Sequence, residues 1–145
     1  MEILGFKLLY WIILLILLIA SGLDLKKRSI PSFFLTAMIF VVALVSFHLT
    51  SIYVFGYGIM AFIFGWLLYD LNFFGGIADV KAVTLIGFLI PNIKFLFIFI
   101  VITLIYCFAF QLLWKFALKK DELDAPFVVP ITATYVALMF LGGLV

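Results

Sequence analysis

Residues 8–20 read LLYWIILLILLIA, an uncharged apolar run that follows directly on Lys7. Extended to Leu4–Leu23, the run reaches the ~20 apolar residues that carry a helix across a hydrocarbon core of ~30 Å. The same ruler, moved along the chain, picks out further segments at Pro31–Phe47, Ile52–Tyr69, Ala78–Ile90, Phe95–Trp114 and Pro126–Leu144. The reading is therefore an all-α, polytopic membrane protein: a single domain over residues 1–145 with six transmembrane helices. The fourth span is the short one. Residues 78–90 reach only ~20 Å as a helix, so it must start inside the membrane, lean on its neighbours or borrow from the residues around it. A second reading of the first span stays open, because Lys7, an apolar core and Ala20-Ser21-Gly22 also suit a cleaved secretory signal.

Composition points the same way. Hydrophobic residues make up 69% of the chain and charged residues 11%, far below the quarter or so of a soluble domain. A net charge of +2, spread along the chain, does not suit nucleic-acid binding. Cys107 is the single cysteine, so neither an intrachain disulfide nor a cysteine zinc cluster can form, and in its apolar run it reads as a buried thiol. With one histidine, His48, a metal-hydrolysis site lacks ligands.

Basic residues orient the spans. The loops after spans 1, 3 and 5 share Lys26, Lys27, Arg28, Lys81, Lys115, Lys119 and Lys120, against Lys7 and Lys94 on the other side. The odd-numbered loops are thus expected in the cytoplasm and both termini outside. Asp24, after span 1, and Asp79, opening span 4, then share the cytoplasmic depth.

Acids at membrane depth are expensive and commonly face a protein interior or a water-filled cavity. Two readings of this pair are open. In one, Asp24 pairs with Lys27 or Arg28 a turn away, and Asp79 is a helix N-terminal acid favoured by the macrodipole. In the other they form a carboxylate dyad. Repulsion keeps one protonated; the ionised partner draws a proton from water attacking an amide, and the protonated one polarises the carbonyl and later serves the leaving amine. Lys81, two residues from Asp79, points elsewhere on the helix and reads as a lysine snorkelling to the interface or as a substrate contact. Gly75 and Gly76 read as a turn or as room for close backbone approach. Asp70 and Asn72 read as the end of the third span, with Asp70 alternatively a third acid near the same interface. His48 falls at the opposite end from the acids. Ile19-Ala20-Ser21-Gly22 departs from the Gly-x-Ser-Gly of rhomboid proteases at its first position, and a Ser29–Lys27 pair has nothing to fix its geometry.

In three places the chain resembles the type IV prepilin peptidases, the GxGD-type intramembrane aspartic proteases. Asp24-Leu-Lys-Lys-Arg-Ser-Ile-Pro-Ser32 is similar to an Asp followed by a basic stretch and Ile-Pro-Asn. Gly75-Gly76-Ile77-Ala78-Asp79-Val80-Lys81 is similar to a glycine-rich motif ending Gly-Asp-x-Lys, and Ala125-Pro126-Phe127-Val128-Val129-Pro130 to Pro-Phe-x-Pro at the last helix. Ser32 and Ala78 depart from the motifs, the latter in a form closer to archaeal members. The resemblance implies catalysis by Asp24 and Asp79, and cleavage of short basic leaders from pilin-like (pilin or archaellin) precursor proteins at the cytoplasmic face of the cell membrane. It implies no cofactor and no metal. A cysteine tetrad and added length accompany N-methylation in larger relatives, so peptidase activity alone is expected here. Asp121, Glu122 and Asp124 form an acidic group that either attracts the basic leader or balances Lys119 and Lys120 in a solvated loop. The alternative is a small ion- or proton-coupled transporter using the two aspartates as a relay.

Overall fold

The computed structural model describes residues 2–27, 32–74, 76–117 and 127–141, which form helices and their connecting turns with no strand among them. In chain order the helices are α1 (Glu2–Lys27), α2 (Ser32–Leu49), α3 (Tyr53–Asp70), α4 (Ile77–Gly87), α5 (Ile93–Leu112) and α6 (Val128–Leu141). α5 runs on into a π-helical turn over Leu113–Ala117. Three segments, Lys7–Asp24, Tyr53–Asp70 and Ile93–Phe116, are long and apolar enough to cross a membrane, and Phe33–Leu49 and Val128–Phe140 are apolar but shorter. Leu15, Leu44, Phe62 and Phe97 all point outward, a surface suited to lipid and unsuited to water. The protein is a helical membrane protein.

α4 carries the centre of the fold. At 11 residues it is ~16 Å long, and every residue from Ala82 to Ile90 is buried. A helix apolar on all sides must be enclosed by others, and α4 packs against α3, α2 and α6. It ends at Gly87, three residues before the expected Ile90, because Leu89 and Ile90 turn tightly, donating to the carbonyls of Ile86 and Gly87 ahead of Pro91.

The α3–α4 contact depends on small residues. A methyl group on Gly87 would overlap the Cβ of Ala61, and one on Gly65 would stand 3.3 Å from the Cα of Val80. Gly58, Ala61 and Gly65 lie on one face of α3, so the two backbones approach closely, the packing that dispersion favours where lipid offers no hydrophobic contrast.

Hydrogen bonds fix α1 against α6 in opposite directions. Tyr135 Oη donates to the Tyr10 carbonyl at 2.9 Å, and Tyr10 Oη donates to the Leu89 carbonyl at 3.0 Å. Further along α1, Ser21 Oγ and Thr132 Oγ1 lie 2.7 Å apart, and Thr132 Oγ1 also donates to the Val128 carbonyl at 2.8 Å. Residue numbers rise along α1 as they fall along α6, so Ser21 lies beside the start of α6 and Tyr10 near its middle.

Candidate functional site

The α3–α4 connection is shaped by a helix-ending motif. Asn72 adopts φ 57°, its N–H donates to the Tyr69 carbonyl, and the Phe73 N–H reaches back to the Leu68 carbonyl at 2.8 Å. This is a Schellman termination with asparagine in the left-handed position. The turn sends Phe73 and Phe74 onto Phe127, their ring centroids 5.7 and 5.8 Å from its own. Phe127 immediately precedes α6, whose first residue, Val128, offers its carbonyl to Ser21. The end of α1, the α3–α4 turn and the start of α6 therefore meet at one end of the bundle.

Both aspartates stand at that end. Asp24 lies one turn beyond Ser21 on the same side of α1, half-buried, with Oδ2 buried. α1 continues to Lys27, so Asp24 is helical and stands in the last turn of α1. Asp79 sits in the first turn of α4 and is 5% exposed. Its Oδ2 accepts the Gly76 N–H at 3.2 Å while its own N–H donates to the Gly76 carbonyl. The N-terminal role expected of Asp79 is thus present, and it leaves Oδ1 outside that bond.

Lys81 is half-buried in the first half of α4. Its ammonium donates to Thr36 Oγ1 at 2.7 Å, tying α4 to α2 on a side of the helix turned away from Asp79. Gly76 is extended at φ −163°, a conformation open to any residue, and a Cβ there would meet nothing nearer than the Ala78 nitrogen at 4.0 Å. Glycine at 76 is demanded neither by its backbone nor by packing among the described residues. Asp70 is exposed in the last turn of α3, and His48 is exposed near the far end of α2. Gly75, Asp121, Glu122 and Asp124 lie outside the described residues, as do Arg28 and the side chain of Lys27.

The Ser21–Thr132 pair, the Phe73–Phe74–Phe127 cluster and the Lys81–Thr36 bond were not anticipated from sequence as parts of this end. Each joins residues more than forty positions apart in the chain, and only the Pro-Phe-x-Pro likeness at Phe127 hinted at one of them. Among the described residues no group of three or more His, Cys, Asp or Glu gathers as metal ligands do.

Fold and site together define a helical membrane protein with two acids at one end of its bundle. Comparison with protein-family models, curated proteins and solved structures finds no match to this chain.

Proposed function

We propose that the protein is a membrane aspartyl endopeptidase that removes short basic leaders from pilin-like precursors, with Asp24 and Asp79 as a carboxylate dyad and water as the nucleophile. The observation that carries the reading is the convergence of α1, the α3–α4 turn and α6, which sets both acids at one end of the bundle. In this reading six spans cross the cell membrane with both termini outside, and the acids face the cytoplasm, where a basic leader waits. One carboxyl is ionised and takes a proton from water as it attacks the scissile carbonyl. The other is protonated, polarises that carbonyl and passes its proton to the departing amine. Because the two titrate together, neither is assigned acid or base alone. Lys81 serves by holding α4 against α2, and the sequence likeness at residues 24–32, 75–81 and 125–130 supplies the substrate class.

The test is cleavage of a pilin-type precursor by the purified chain in liposomes. Asp24→Asn and Asp79→Asn are each expected to lower the rate about 100-fold or more, the scale of acid–base catalysis, while the protein stays folded and inserted. Substantial activity in either variant would falsify the dyad. Proton or cation flux without a shortened product would instead support the carrier that uses the same acids as a relay.

A further inference from the structure

Asp24 and Asp79 stand on different helices, and α6 packs against both of them, α1 and α4. On the α4 side, Phe127 just ahead of α6 meets Phe73 and Phe74 of the turn that leads to Gly76, whose amide bonds Asp79. On the α1 side, the Ser21 and Thr132 hydroxyls meet at 2.7 Å, three residues before Asp24 and so ~4.5 Å from it along the helix axis. Both side chains are buried. Their two protons can be placed. Thr132 Oγ1 gives its one proton to the Val128 carbonyl at 2.8 Å, the shorter of its two carbonyl contacts, with that of Leu17 at 3.4 Å. Ser21 then donates to Thr132 Oγ1, with the Val128 carbonyl at 3.4 Å as its second acceptor. Either acceptor belongs to α6, so the Ser21 proton ties α1 to α6. Packing leaves this stretch open on one side, because a groove of about 560 Å³ lies beside the pair, with Leu18 and Ser21 at its α1 wall and Ala133 and Ala137 at its α6 wall.

We infer that Ser21 and Thr132 are positioning residues of the dyad: their bond sets Asp24 relative to α6 and, through Phe127 and the α3–α4 turn, relative to Asp79. The inference rests on the peptidase reading and adds the contact that holds its two acids in register. Neither hydroxyl touches the substrate. The pair acts through α1, whose rotation and height it fixes. Ser21 and Asp24 lie on one side of that helix, so a rotation that parts Ser21 from Thr132 swings Asp24 with it. Two carboxyls that share a proton and one water tolerate little such movement, since a misplacement of ~1 Å can cost about 100-fold in rate. A hydroxyl pair suits this task in a bilayer. Apolar side chains gain little by choosing a helix over lipid, whereas a hydrogen bond distinguishes the two and has a preferred geometry.

The test uses the full chain in liposomes with a pilin-type precursor, and rates are normalised to folded, inserted protein. Ser21→Ala removes the tie and leaves Thr132 bonded to the Val128 carbonyl, so no buried group loses its last partner. It is expected to lower kcat about tenfold with KM within about twofold, the pattern of an interaction that matters for the reacting geometry and not for binding. Thr132→Val keeps the shape, leaves Ser21 only its 3.4 Å contact, and is expected to act in the same direction by less. The double variant should be no slower than Ser21→Ala, because the two hydroxyls make one bond. Thr132→Ser keeps the hydroxyl and should hold kcat within about threefold of the parent. An unchanged kcat in Ser21→Ala overturns the inference, as do a rise in KM that accounts for the whole loss, multiplying effects in the double variant, or a Thr132→Ser protein as slow as Thr132→Val. Should one single variant fail to insert, the other decides. If the parent protein cleaves no precursor, the peptidase reading falls and takes the positioning role with it. If the parent cleaves and the variants keep its kcat, only the positioning role falls.

Discussion

At Asp79 one carboxylate serves both structure and the proposed chemistry. Oδ2 is engaged with the Gly76 amide at the start of α4, and an asparagine can accept the same bond through its amide oxygen. Asp79→Asn is therefore expected to keep this bond and to melt later than Asp79→Leu, which loses about 1 kcal/mol with it. Thermal unfolding in detergent, followed by circular dichroism, separates the two. Asn72 offers an independent check at this scale. Its φ of 57° is tolerated by asparagine and glycine and resisted by other residues. Asn72→Ala should cost about 1 kcal/mol, and Asn72→Gly close to nothing, by the same measurement. Both acids were legible in sequence, because charge is conspicuous where hydrocarbon is the solvent. The bond from Lys81 to Thr36 was not, because nothing in a helical pattern says which neighbour a lysine will meet.

Among the helices, α4 is where sequence reading and structure complement each other most closely. Its shortness was evident from the interval between Asp79 and Pro91, and the inference that it leans on neighbours is met by nearly complete burial. What it leans on is the small-residue face of α3, and Gly58, Ala61 and Gly65 did not signal this on their own, since small residues also stand where nothing packs. Gly22 is such a case, with open space where its Cβ would be. Gly87→Val should drive α3 and α4 apart and cost about 1–3 kcal/mol, while Gly22→Ala is expected to be neutral or mildly stabilising. Resistance to denaturation in SDS, compared across the two variants, checks the contrast. Loss of stability in both alike would mean that α4 is not held by this contact.

For the whole molecule, the proposed orientation makes a labelling prediction. Asn92, in the exposed turn before α5, and Leu71, in the turn after α3, lie at opposite ends of the bundle. Asn92→Cys is expected to react with a membrane-impermeant maleimide from outside intact cells, and Leu71→Cys only after the cells are opened. Native Cys107 is buried and should give little background. The reverse pattern overturns the orientation and, with it, a cytoplasmic site.

By itself the sequence determined that this is a helical membrane protein, where its apolar segments lie, and that Asp24 and Asp79 are the acids to examine. It could do so because hydrophobic length and misplaced charge are properties of single segments, readable without knowledge of any partner. Only the tertiary structure decided that α1 pairs with α6 through Ser21 and Thr132, and that Phe127 closes on Phe73 and Phe74. It alone decided that a groove lined by Leu18, Ser21 and Tyr106 is left open along α6. Between apolar helices in lipid, partner choice depends on small residues, a few hydroxyls and ring contacts that match across long stretches of chain. Such matches exist only once both surfaces are in place.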